Sequence, residues 1–214
     1  MAQTSHREQL LEGAVECLRT KGYARTTARD IAAAANANLA SIGYHFGSKE
    51  ALLNEAILRA CEQWTNRLGE AAFAGEDESP LGHMAASLVV MLNSFEELRP
   101  ILVGLIEAAA QSAWSDELRR ELAAHYRVSR EQIAAMVRQS LGEGIEEAGI
   151  DPKVVASFLI AVCDGLVLQW LIDPDETPRG EELISSLGAA LAQALATLLY
   201  FLDVMGVFSS GRQR

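Results

Sequence analysis

The residue types and spacings able to do chemistry gather between positions 27 and 49. Thr27 stands three residues ahead of Asp30 at the start of an alanine-rich run, the spacing of a capping box. There it offers a hydroxyl and a backbone N–H at a helix start, where the macrodipole also favours an anion. Tyr44, His45 and Lys49 bring a phenol, an imidazole and an ammonium to the end of one short segment and the start of the next. That set suits hydrogen bonds to phosphate oxygens, which position a protein without reading sequence. Between them Asn38, Leu39, Ala40, Ser41 and Gly43 form the start and one face of a helix read over 39–45, about 10 Å long at roughly 1.5 Å per residue. Groups this small read base edges through Asn or Ser hydrogen bonds and contact with thymine methyls. Arg29, on the preceding helix, can add a base or phosphate contact.

Bond-making chemistry has no comparable set. No GxSxG, HExxH, P-loop or dinucleotide glycine pattern occurs, and His6, His45, His83 and His125 are scattered. Cys17, Cys61 and Cys163 are odd in number, far apart, and form no CxxC pair or metal-ligand spacing. No catalytic residue, metal or cofactor is expected, and the thiols read as buried structural groups in a reducing cytoplasm.

The elements that must position residues 27–49 are helices. Half of the 214 residues are apolar, and they recur at helical rather than period-two spacing throughout, so the fold class is all-α. A helix is read over 5–21 with Leu10, Leu11, Ala14, Val15 and Leu18 as its stripe, ended by Gly22. A second is capped by Thr27 and runs over 28–35. Asn36 is suited to the left-handed conformation that ends it, and Asn38 to capping the third. Phe46-Gly47 ends the third, and Ser48 caps a long fourth helix over 49–74. Further helices are read over 81–98, over 101–113 with Pro100 marking the start, from Ser115 through 141, and over 153–172 and 181–207.

Two short helices around a tight turn, after a third and before a long fourth, are the outline of a helix-turn-helix unit. The run 26–35, TTARDIAAAA, and the run 44–53, YHFGSKEALL, resemble together the DNA-binding domain of the TetR family of bacterial regulators over about residues 5–55. The resemblance implies that Thr27, Tyr44, His45 and Lys49 lie near the DNA backbone. It also implies an N-terminal three-helix domain (1–50) joined by a long helix to a larger helical ligand-binding and dimerisation domain (51–214). The family usually has Gly, Val and Ser where Asn36, Ala37 and Asn38 stand, and an aromatic where Gly43 stands. Gly43 costs about 1 kcal/mol of helix propensity and removes a phosphate contact.

Charge fits this division. The net charge of −11 argues against a nucleic-acid partner for the whole chain, yet residues 1–50 carry six Lys/Arg against five acids while the remainder carries 12 against 24. Double-stranded DNA, as a palindromic operator, would meet the first fifth, and the acidic remainder would be held away. The alternative is a helical adaptor on the same fold that has lost DNA binding. The resemblance further implies a homodimer formed by helices 153–172 and 181–207, which are too apolar for surface helices. It implies as well a mostly apolar cavity for a small-molecule inducer. Candidate ligand-binding residues are Met91, Phe95, Glu107, Gln111, Trp114, Tyr126, Phe158, Asp164 and Trp170, with Met84, Ile106, Met136 and Gln169 as further possibilities. His125, on an amphipathic helix, reads as a surface histidine. The apolar stretch 154–172 has the length of a membrane span, but Asp164 at its middle and flanks without Lys/Arg clusters favour a soluble core or interface helix. A polar N-terminus without a signal sequence places the expected protein in the cytoplasm.

Overall fold

The computed structural model describes residues 5–142 and 144–204, without the side chains of 191, 195 and 198–204. Among the described residues the regular structure is nine α-helices: α1 His6–Lys21, α2 Ala28–Ala34, α3 Ala40–Phe46, α4 Lys49–Ala72, α5 Pro80–Asn93, α6 Phe95–Gln111, α7 Asp116–Leu141, α8 Pro152–Ile172 and α9 Gly180–Val204. Residues 205–207, read as the end of the last helix, lie outside the described residues.

Side-chain caps start most of the helices. Ser5, Thr27, Ser48, Ser79, Ser115 and Asp151 each accept a backbone N–H of the first turn. Asn36 takes a φ of 49° and ends α2, and the Ala37 N–H reaches back to the Ala32 carbonyl at 2.9 Å. Asn38 then opens α3, its Oδ1 accepting the Ala40 N–H at 2.9 Å. Leu39 is the exposed residue just ahead of that helix rather than its first turn.

The largest boundary difference from the sequence reading falls between α5 and α6. The chain breaks at Ser94 rather than before Pro100, which lies inside α6. Ser94 is buried; its hydroxyl donates to the Met91 carbonyl at 2.7 Å and accepts the Trp64 indole N–H at 2.8 Å. A tertiary partner thus sets the break. Pro100 is tolerated because it forfeits only the bond to the carbonyl four residues back, at exposed Glu96 in the first turn.

A continuous core runs from the first four helices into the later ones. Leu10, Leu18, Ile31, Ile42, Leu52 and Leu53 of α1–α4 belong to one cluster with Ile57, Met91, Phe95, Leu102, Val167 and Trp170 of α4, α5, α6 and α8. Phe95 stands within it, its ring centroid 6.1 Å from that of Trp64 and 5.4 Å from that of Trp170. Where α4 crosses α6, the side chain of Ile57 occupies the space beside Gly104. α7 packs along α8, and α5 lies between α4 and α9.

α8 is long and apolar enough to cross a membrane. Its exposed apolar residues, Val154, Phe158, Leu168 and Ile172, repeat at helical spacing along one stripe.

Candidate nucleic-acid interface and ligand cavity

The helix-turn-helix unit is rigid by its own chemistry. Thr27 and Asp30 close a full capping box: the Thr27 N–H and hydroxyl both donate to Asp30 Oδ2 at 2.9 and 2.7 Å, and Thr27 Oγ1 accepts the Asp30 N–H at 3.2 Å. The hydroxyl and N–H that the sequence reading offered to an anion are therefore engaged within the protein. Lys21 Nζ donates to the other oxygen of Asp30 at 2.6 Å, and these bonds hold that carboxyl far below the usual range. Lys49, half-buried, donates to the Thr26 carbonyl at 3.3 Å and so ties the start of α4 to the start of α2.

Outward from this frame stand Arg29, Asn38, Leu39, Ala40, Gly43 and Tyr44, all exposed, with Ser41 and His45 half-buried among them. Tyr44 is 85% exposed, and its ring meets that of His45 edge to face at 4.9 Å. Nothing lies within 4 Å of the point where a Gly43 side chain would begin, so this face of α3 is open. An apolar-backed helix of small residues, flanked by a phenol, an imidazole and a guanidinium, has the shape and donors to enter a DNA groove.

The second feature is a cavity of about 410 Å³ between α4, α5, α7 and α8. Of the sequence candidates it brings together Met84, Met91, Tyr126, Met136 and Asp164, and it adds His125, which faces the cavity half-buried instead of lying on the surface. Eight candidates lie elsewhere. Phe95 and Trp170 are in the central core, where they pack on one another. Glu107 and Gln111 are exposed on α6, and Trp114 is 93% exposed beyond its end. Phe158 is 67% exposed on the outer stripe of α8. Ile106 and Gln169 are likewise off the cavity. The sequence reading missed the α4 wall, where Cys61, Trp64, Thr65 and Leu68 follow the core-facing residues of that helix at helical spacing. Their i, i+3, i+4 pattern was the available signal.

Polar groups in the cavity are few and mostly paired. Tyr126 Oη donates to Asp164 Oδ2 at 2.9 Å, and His83 Nδ1 lies 2.9 Å from Ser140 Oγ. Burial raises Asp164 above the ordinary carboxylate range, partly offset by the Tyr126 hydrogen bond, and burial lowers His125. Burial, reinforced by the Asp164 charge, pushes the Cys61 thiol up to about 12 and the Cys163 thiol to about 11, so neither is poised as a nucleophile.

A raised native pKa makes Asp164 a pH-dependent cost. The penalty is absent below the ordinary value of 3.8, grows as pH rises toward the native value, and is complete above it. Asp164→Asn is therefore expected to raise the thermal unfolding midpoint at pH 7, with the gain vanishing as pH approaches 4. Unfolding scans across that range would check it; a lower midpoint at pH 7 would show that the charge stabilises the fold.

Comparison with known proteins agrees with this geometry. The model of bacterial regulatory proteins of the tetR family matches residues 10–56, and that of the C-terminal part of BetI-type transcriptional repressors matches 84–199. The nicotine-responsive transcriptional repressor HdnoR of Paenarthrobacter nicotinovorans is 26% identical over 192 residues, 87% of this chain and 94% of that protein. The transcriptional regulator TtgR of Pseudomonas putida is 26% identical over 175 residues, 79% and 81% of the two chains. Among solved structures, a transcriptional regulator from Rhodococcus sp. RHA1 superposes with a TM-score of 0.67 at 20% identity over 87% of this chain and 94% of its own. SmeT in complex with triclosan gives 0.56 at 23% identity over 89% and 91%. With one family model covering the helix-turn-helix unit and the other more than half of the chain, this all-α protein belongs to the tetR family of bacterial regulatory proteins and is a DNA-binding transcriptional regulator.

Proposed function

We propose that the protein is a homodimeric repressor that holds a palindromic operator through paired α2–α3 units and releases it when a small, largely apolar molecule fills the cavity. The observation that carries this reading is the course of α4. Its first half packs against the helix-turn-helix through Leu52, Leu53 and Ala56, and its second half walls the cavity through Cys61, Trp64 and Leu68. A guest that prefers one placement of that wall favours one placement of the DNA-binding unit, as far as its affinities for the two states differ. Its relatives support it, since HdnoR is nicotine-responsive and SmeT forms a complex with triclosan. The apolar stripe of α8 supplies the face for a second copy. Two copies would present α3 helices to half-sites about 34 Å apart, or a multiple of that. A regulator of this kind works in the cytoplasm.

The test is selection of genomic fragments by the purified protein at two salt concentrations. One palindrome, enriched more at low salt, is the expected outcome; no enrichment at either salt would leave a helical interaction protein on the same fold. On the selected operator, Arg29→Ala is expected to reduce the slope of log affinity against log salt by about one per subunit. Tyr44→Ala is expected to weaken binding by about fivefold per subunit with little change in that slope, since it removes an uncharged contact worth about 1 kcal/mol. Fluorescence anisotropy over a salt series reads both; unchanged affinity in both variants would remove this face from the interface.

A further inference from the structure

The charge inside the cavity is one-sided. Asp164 sits midway along α8, and among the described residues that line the space it is the one carboxylate, with no Lys or Arg to oppose it. The hydrogen bond it receives among the described residues comes from the neutral hydroxyl of Tyr126, and no salt bridge reaches it. Of the two imidazoles that line the space, burial holds His125 toward its neutral form and His83 is paired with Ser140. A carboxylate on an apolar wall without a cation is costly, and the structure leaves that cost in place. The π systems of Trp64 and Tyr126 line the same space, and Trp64 is held in position by its bond to Ser94. Aromatic rings and a carboxylate facing one desolvated space favour positive charge through the ring quadrupole and through Coulomb attraction.

We infer that the cavity selects a lipophilic organic cation, a protonated amine or quaternary ammonium on an apolar body, with Asp164 as its counter-ion and Trp64 and Tyr126 as its aromatic walls. This rests on the reading of the cavity as the effector site. It adds that charge, and not apolar volume alone, decides what enters. An anion of the same shape would meet Asp164 and be rejected, and a neutral guest would leave the carboxylate unpaired. The cation removes a cost that the protein's own side chains leave in place, so its binding energy includes relief that no neutral molecule can provide.

The test is calorimetric titration of the full-length protein with phenyltrimethylammonium and with tert-butylbenzene, which differ in charge and hardly in shape. The cation is expected to bind roughly tenfold tighter or more. Asp164→Asn should abolish that preference. Equal affinities in the wild-type protein would overturn the inference and leave the effector-cavity reading standing. Binding of neither probe would remove that reading and the inference together. If the Asn variant does not fold, the wild-type comparison decides the matter alone.

Discussion

Phe95→Ala is expected to cost about 3–5 kcal/mol of stability, the range for removing a fully enclosed aromatic side chain. Phe95 has no exposed surface and touches two other aromatic rings, Trp64 on the cavity wall and Trp170 on α8, while the Arg99 guanidinium covers Trp170 at 5.0 Å. Those neighbours belong to helices fixed by other contacts, so the void can close only partly. Chemical denaturation of the purified protein measures the loss. A change below about 1 kcal/mol would show that the surrounding helices collapse freely into the space. Because the three rings join α4, α6 and α8, the same variant should also weaken the dependence of operator affinity on a bound guest.

Gly13→Val should be almost as damaging, and it should act on the DNA-binding unit. A side chain at Gly13 would begin 2.9 Å from the backbone nitrogen of Ala35 and 3.1 Å from its Cβ, so α1 and α2 would have to separate. Overpacking against backbone costs about 1–3 kcal/mol and occasionally more, and valine also brings two methyl groups into the contact. The displaced residue immediately precedes the left-handed Asn36, so a shift there turns α3 away from its neighbours. A lower unfolding midpoint together with lost operator binding is expected. Gly43→Ala is the control with the opposite sign: its space is open, and the gain is about 1 kcal/mol of helix propensity. If both variants behaved alike, the close crossing of α1 and α2 would not be a determinant of the unit.

Local chemistry was legible from the chain. Thr27 with Asp30, Asn36, Ser48, Ser115 and Asp151 mark helix ends through bonds to their own neighbours in sequence, and each does so in the structure. Tertiary choices were not legible. Ser94 breaks the chain because Trp64, 30 residues away, supplies a donor to its hydroxyl. The cavity shows the same limit. Periodicity marks Phe95, Trp170 and Phe158 as apolar, but it does not say whether an apolar face meets a core, an empty space or a second copy. Trp114 carries a core-like side chain and stands past the last turn of α6. Asp164 was legible for a different reason: an acid midway along a 21-residue apolar helix needs an explanation, and the cavity gives it one.

The continuous core bears on how such a regulator could be rebuilt. Exchanging sensor regions between regulators at the start of α4 would divide one hydrophobic cluster, because Leu52, Leu53 and Ile57 share it with residues of α1, α3 and α6. A transplantable sensor would have to carry all of α4 together with the α1 surface that meets α6, and a recipient DNA-reading unit would keep its own specificity only in α3 and the turn before it. Hybrids joined by that rule should fold and respond, whereas hybrids cut at residue 50 should lose stability before they lose recognition.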